Sequence, residues 1–97
     1  MSAPRAKIKP PEHVKLCAFE YAKVIWVQVL EVDAKHRRKG LGSATLLAVK
    51  QYAFDRAKSV RLTPVPRTDK DGPALQRFYE RAGFKLLPDG DMEWSTR

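Results

Sequence analysis

The stretch Arg-Arg-Lys-Gly-Leu-Gly-Ser at residues 37–43 decides the fold, because it joins an apolar run to a long helical pattern. Residues 24–32 read Val-Ile-Trp-Val-Gln-Val-Leu-Glu-Val, which is typical of a central strand covered on both faces. From residue 41 the apolar residues recur with helical spacing. Glycines let a backbone approach an anion, and a helix N-terminus directs its N–H groups toward it. The stretch therefore predicts a phosphate-binding loop between a strand and a helix.

Turn and cap residues delimit the elements on both sides of this loop. Pro73 suits the first positions of a second helix, and Gly83 suits its left-handed stop. Pro-Asp-Gly-Asp at residues 88–91 predicts a hairpin turn. The predicted elements are strands over residues 14–20, 24–32, 60–65, 84–87 and 92–95 and helices over residues 41–57 and 73–82.

This order of elements predicts an α/β fold with one mixed sheet, two flanking helices and a C-terminal β-hairpin. Residues 1–12 contain three prolines and three basic residues, so we expect a flexible basic arm there. Residues 13–97 form the single domain that a chain of 97 residues favours.

The charge of the chain is unevenly distributed. The net charge is +8, and residues 1–70 carry 15 Lys and Arg against 6 Asp and Glu, whereas residues 71–97 carry 4 against 5. The basic excess thus lies in the part that holds the loop. It is suited to DNA, RNA, an acidic protein or an anionic cofactor, and it is equally typical of a solvated surface that keeps a protein soluble.

Several classes of protein are disfavoured by composition. No apolar stretch approaches the roughly 20 residues that a membrane helix needs, and residues 1–11 lack the apolar segment of a signal peptide. The one cysteine, Cys17, has no partner within the chain. We therefore expect a cytoplasmic protein that is not bound to a membrane. No spacing of Cys, His and carboxylate residues predicts a metal site.

Two motifs together identify a family that the chain resembles. The first is Arg-x-x-Gly-x-Gly at residues 37–42, and the second is Arg-Phe-Tyr-Glu-Arg-Ala-Gly-Phe at residues 77–84. In this order, with a helix and a strand between them, they resemble the GNAT superfamily of N-acetyltransferases over residues 24–94. The resemblance implies a splayed central sheet and acetyl-CoA as cofactor. Such domains usually begin with a strand and two helices, so the 23 residues before Val24 imply an N-terminally shortened version.

The resemblance also implies where the cofactor binds. Its pyrophosphate would lie on backbone N–H groups at the start of the helix, with basic side chains adding charge. Its pantetheine arm would pair with the backbone of the preceding strand like an added strand. The residues so implied are Leu30, Val32, Arg37, Arg38, Lys39, Gly40, Leu41, Gly42 and Ser43.

Two residues are candidates for proton transfer. Tyr79 matches the tyrosine of the family that protonates the departing coenzyme A thiolate, and its alternative role is an aromatic core residue. Glu31 is the only carboxylate inside the strand over residues 24–32, so it is the candidate base, or else an exposed strand residue. His36 is a phosphate neighbour or is exposed, and His13 has no assigned role.

The implied function is direct transfer of an acetyl group from acetyl-CoA to an amine of a protein or small molecule. The alternative is a catalytically idle module of the same fold that binds a protein or nucleic acid. Nucleic acid is the less favoured partner, because most aromatic residues belong to the core pattern and leave no stacking platform. Because the helices that usually wall the acceptor site are missing, a homodimer completing that site is a further hypothesis.

Overall fold

Strands and helices alternate along most of the chain in the computed structural model, which describes residues 4–36, 40–64 and 72–95. The elements are β1 (Val14–Glu20), β2 (Val24–Val32), a 3₁₀ turn (Ala34–His36), α1 (Leu41–Asp55), β3 (Ser59–Leu62), α2 (Gly72–Arg81), β4 (Lys85–Leu86) and β5 (Met92–Trp94). The five strands form one mixed sheet in the order β1-β2-β3-β5-β4. The predicted fold class is confirmed.

The ends of the elements follow local backbone chemistry. α1 ends two residues before the predicted position because Ala57 adopts a left-handed conformation, with φ of 55°. The N–H of Ala57 donates to the Phe54 carbonyl and that of Lys58 to the Ala53 carbonyl, which is the Schellman arrangement. β3 ends at Leu62 rather than at the predicted residue 65, since the prolyl residue at 64 has no N–H to offer a ladder.

A crossover through α1 joins the parallel strands β2 and β3. The residues of β2 and β3 that alternate toward the helices are buried, as are the residues of α1 and α2 that meet them. This core consists of Ile25, Val27, Leu46, Val49, Ala53, Val60, Leu62, Tyr79, Phe84 and Met92, with Ala18 from β1. Both helices therefore cover the same face of the sheet.

A β-bulge interrupts the pairing of β1 with β2. Cys17 pairs with Val29 and Ala18 pairs with Val27, so Gln28 is an extra residue in β2. The bulge shifts the alternation of side chains by one residue. As a result Leu30 lies on the same face as Val27 and packs against the core.

β2 and β3 part beyond the bulge. Their ladder runs from the pair Val24 and Ser59 to the pair Val27 and Leu62, whereas β2 continues to Val32 along β1. Residues 28–32 of β2 therefore have β1 on one side and, within the described ranges, no strand on the other. This is the splay that the family resemblance implies.

The N-terminal segment differs from the expected flexible arm over the residues that can be described. The N–H of Ala6 donates to the Ala18 carbonyl at 2.9 Å, and Arg5 bridges Phe19 in an antiparallel manner. Ala6 and Ile8 pack against the core. The segment thus extends the sheet beyond β1, a role that three prolines in residues 4–11 do not indicate. None of the described helices is long and apolar enough to cross a membrane.

Candidate functional site

The start of α1 offers backbone donors to a ligand. Gly40 is its N-cap residue, with φ of 74°, and its carbonyl accepts the first helical hydrogen bond from the N–H of Ala44 at 2.9 Å. The N–H groups of Leu41, Gly42 and Ser43 precede that bond and so have no acceptor within the helix. A Cβ at Gly40 would meet no described residue within 4 Å. These features suit an anion.

Gly42 has a packing role at the start of α1. A Cβ at this position would lie 3.0 Å from Cζ of Phe78 and 3.8 Å from Cγ2 of Val32. The missing side chain thus gives room to the Phe78 ring, and the room that it gives to the phosphates stays a prediction. The two motifs of the sequence meet at this contact, which joins the first turn of α1 to α2.

The three basic residues of the loop, Arg37, Arg38 and Lys39, lie outside the described residues. Their contacts with phosphate groups stay predictions.

The open edge of β2 begins next to this helix start. Val32 and Leu30 lie on the face that the helices cover, and both are half-buried. Glu31 lies on the opposite face, where it is exposed and pairs in register with Lys15. The predicted separation of Leu30 and Val32 from Glu31 is therefore found. Their assigned roles in binding and catalysis remain predictions.

Tyr79 lies in the core of the protein. Its ring makes edge contacts with Phe78 and Phe84, with centroids 5.2 Å and 5.8 Å away. Burial raises the pKa of the Tyr79 hydroxyl above its ordinary value, so the phenol keeps its proton at neutral pH. Among the described residues, none accepts that proton in a hydrogen bond. Tyr79 is thus a core residue, which is one of the two roles that the sequence leaves open, and its role as the acid stays a prediction.

A group of polar side chains that sequence spacing does not indicate lies at the same end of β2. His36 stacks on His13, with ring centroids 3.6 Å apart, and Asp33 lies beside them. The antiparallel pairing of β1 with β2 brings together residues about 20 positions apart. Phe78 is the other residue that sequence reasoning missed, although its place in the second motif is a usable signal.

A helix N-terminus next to an open strand edge is an arrangement suited to an extended, phosphate-bearing ligand. The sequence profile of the acetyltransferase (GNAT) family matches residues 7–84. The chain belongs to that family, and the expected fold relationship is confirmed. Members of the family use acetyl-CoA, so the predicted cofactor is confirmed as well.

Solved structures support the same relationship. The anti-CRISPR protein AcrVA5 superposes with a TM-score of 0.77 at 22% identity, covering 98% of this chain and 100% of that chain. Ard1 from Thermoplasma volcanium gives a TM-score of 0.67 at 26% identity, covering 87% of this chain and 63% of that chain. The PaiA N-acetyltransferase from Thermoplasma acidophilum in complex with coenzyme A gives 0.66 at 22% identity, covering 84% and 52%. A comparison with curated proteins found no match.

Proposed function

We propose that this chain transfers an acetyl group directly from acetyl-CoA to a primary amine. The observation that carries the proposal is the convergence of three features at one end of the sheet. These are the donors at the start of α1, the open edge of β2 beyond Val27, and α2 with Phe78 against Gly42 and Tyr79 behind it. The described residues fit acetyl-CoA because they pair an anion site with backbone suited to an amide-rich arm.

Each part of the proposed site has one task. The N–H groups of residues 41–43 hold the pyrophosphate, and the basic residues 37–39, which come just before them in the sequence, add positive charge. The backbone of Leu30 and Val32 pairs with the pantetheine amides. A strand edge binds such a chain in one register, so the thioester is placed next to the parting of β2 and β3.

Acetyl-CoA supplies a thioester, whose C–S bond breaks as the acceptor nitrogen forms the new C–N bond. In the proposed mechanism the buried Tyr79 hydroxyl donates its proton to the sulfur that departs. Glu31 takes the proton that the nitrogen loses, directly or through one water molecule. Both side chains then exchange protons with solvent, which restores the starting state.

We infer that the acceptor is a large molecule, such as a protein, that presents an exposed amine. Val29 is 38% exposed and Glu31 is exposed, and both lie on the sheet face opposite to α1 and α2. In the part of the chain that the structure describes, no helix covers that face. A small acceptor needs walls on several sides to be held, whereas a folded protein supplies its own surface.

The first test measures binding and transfer separately. Calorimetry with acetyl-CoA reports binding, and mass spectrometry of a cell extract incubated with the protein and acetyl-CoA reports transferred acetyl groups. Binding together with new acetylated lysines supports the proposal. Binding without any product favours the idle module, and the absence of heat at millimolar acetyl-CoA refutes the proposed acetyl transfer.

Substitution of Tyr79 tests the role of the acid. Tyr79→Phe removes only the hydroxyl, so we expect the rate of transfer to fall about 10²-fold or more while acetyl-CoA binding changes less than about twofold. Tyr21→Phe is the matched control, because Tyr21 is 48% exposed and lies at the far end of β2. Equal losses of binding and rate in Tyr79→Phe would show that the residue is structural.

The role of Glu31 is tested in the same assay by its pH dependence. Glu31→Gln should slow transfer most at neutral pH, where a lysine amine is protonated. The loss should shrink as the pH approaches the amine pKa of about 10.4, since deprotonation then needs no base. A constant rate ratio across this range would exclude Glu31 as the base.

A further inference from the structure

His13, Asp33 and His36 form a cluster of metal-ligating side chains at the end of β2. One imidazole nitrogen from each histidine and one carboxylate oxygen of Asp33 all lie within 4.8 Å of one another. His13 precedes β1, whereas Asp33 and His36 follow β2. The cluster therefore ties together the two chain segments that meet at this end of the β1–β2 pair.

The backbone holds the three residues in place. The N–H of Asp33 donates to the His13 carbonyl at 2.8 Å, and the N–H of His36 donates to the Asp33 carbonyl at 2.8 Å. The N–H of Lys35 donates to Oδ1 of Asp33 at 3.3 Å, which orients the carboxylate. The Cα positions of the cluster are thus set by hydrogen bonds that need no ligand.

His13 also has an unusual backbone conformation. Its φ is 69°, in the left-handed region that non-glycine residues occupy infrequently. Residues held in this region cluster at functional sites, because the surrounding structure must offset the strain. This backbone conformation places the His13 ring against the ring of His36.

We propose that His13, Asp33 and His36 bind a divalent transition-metal ion. Two imidazoles and one carboxylate suit zinc, nickel, copper or cobalt, and the remaining coordination positions are open to water. The two rings are stacked with an angle of 9° between their planes, so their lone pairs run side by side. Binding therefore requires one ring to rotate, and the exposed His13 has the room to do so.

The proposal makes a distinct prediction about which metals bind. Affinity should follow the order Co²⁺ < Ni²⁺ < Cu²⁺ > Zn²⁺, whereas Mg²⁺ and Ca²⁺ should not bind because they prefer sets of oxygen ligands. Metal at about five times its Kd should raise the Tm of the chain by about 4–8 °C. These expectations do not depend on acetyl transfer.

Metal titrations of the full, untagged chain test the site. Calorimetry and thermal melts with Ni²⁺ and Zn²⁺ are carried out on Cys17→Ser, so that the only thiol is removed. His13→Asn keeps a residue that tolerates positive φ, and Asp33→Asn and His36→Gln keep the side-chain size. Each should weaken Ni²⁺ binding at least about tenfold, while Asp55→Asn, an exposed carboxylate on α1, should leave it unchanged.

Proton NMR of the imidazoles locates the ion. Paramagnetic Ni²⁺ should broaden the ring signals of both histidines at substoichiometric metal, and circular dichroism verifies that each variant is folded. The proposal is overturned if millimolar Ni²⁺ and Zn²⁺ give neither heat nor a Tm shift. It is also overturned if folded variants of all three residues bind as tightly as the parent.

Discussion

Adding a methyl group at Gly42 tests the contact that joins the two motifs of the site. Gly42 has an ordinary helical conformation, so Gly42→Ala introduces no backbone strain. The new Cβ would lie 3.0 Å from Cζ of Phe78, which is closer than carbon atoms normally approach, and at an ordinary contact distance of 3.6 Å from Cε1. Either the Phe78 ring or the first turn of α1 must then move by a few tenths of an ångström.

Two opposing effects set the magnitude. Alanine is favoured over glycine inside a helix by about 0.8–1.0 kcal/mol, and somewhat less in a first turn. Overpacking a fitted contact costs about 1–3 kcal/mol. The free energy of unfolding of Gly42→Ala is therefore expected to fall by about 0–2 kcal/mol. The interaction energy is more informative, because in Phe78→Leu the ring atoms that clash are absent and only the helix preference remains.

A double-mutant cycle measures that interaction. We expect Gly42→Ala to stabilise the Phe78→Leu protein by about 0.5–1 kcal/mol, so that the coupling between the two positions is about 1–3 kcal/mol. Urea unfolding followed by circular dichroism gives the four free energies of unfolding. Ser43→Ala, at an exposed position of the same turn, is the control and should show coupling below about 0.3 kcal/mol with Phe78→Leu. A coupling below about 0.5 kcal/mol for Gly42 would refute the packing argument.

The other predictions concern stability. Ala57→Gly should stabilise the protein by about 0.5–1 kcal/mol and raise the Tm by about 2–8 °C, because the left-handed conformation costs alanine more than glycine loses in chain entropy. Gly83→Ala, at the equivalent position after α2, should destabilise the protein. Thermal melts in which both variants shift the Tm in the same direction would contradict this reasoning. The hydrogen bond from Lys58 chiefly holds the pKa of Glu20 below its ordinary value of 4.5, so the stability it contributes is present above pH 4.5 and is lost as the pH falls through the lowered pKa. Glu20→Gln should therefore show a shallower fall of Tm with pH below 4.5 than the parent, and parallel melting curves across pH 3–6 would exclude the contribution.

Local patterns predicted most of the elements because they act over short distances. The strand-like composition of residues 14–20 and the β-branched run at residues 24–32 match two strands residue by residue. Gly83 ends α2 with φ of 97°, as its place in the pattern indicates. Ala57 does the same for α1, but alanine carries no such signal, so the predicted helix was two residues too long. The bulge at Gln28 depends on pairing with β1 and is equally invisible in the sequence.

The candidate site was predictable to the extent that it lies within continuous motifs. The motif at residues 37–43 indicated the loop and the start of α1, and the motif at residues 77–84 indicated Tyr79. The contact of Gly42 with Phe78 could not be predicted, since a glycine that makes room for a ligand and one that makes room for a ring look alike in a sequence. The grouping of His13 with His36 comes only from the register of β1 and β2.

The contact between Gly42 and Phe78 explains why the two motifs occur together. The first motif positions N–H donors at the start of α1, and the second positions Tyr79, the next residue after Phe78 along α2. Because the Phe78 ring fits where Gly42 lacks a side chain, the distance from the anion site to α2 is set by direct packing rather than by the residues between them. The acid of the proposed reaction must meet a sulfur whose position depends on where the pyrophosphate binds. A fixed distance in space between the anion site and Tyr79 is therefore a requirement of the proposed chemistry as well as of the fold.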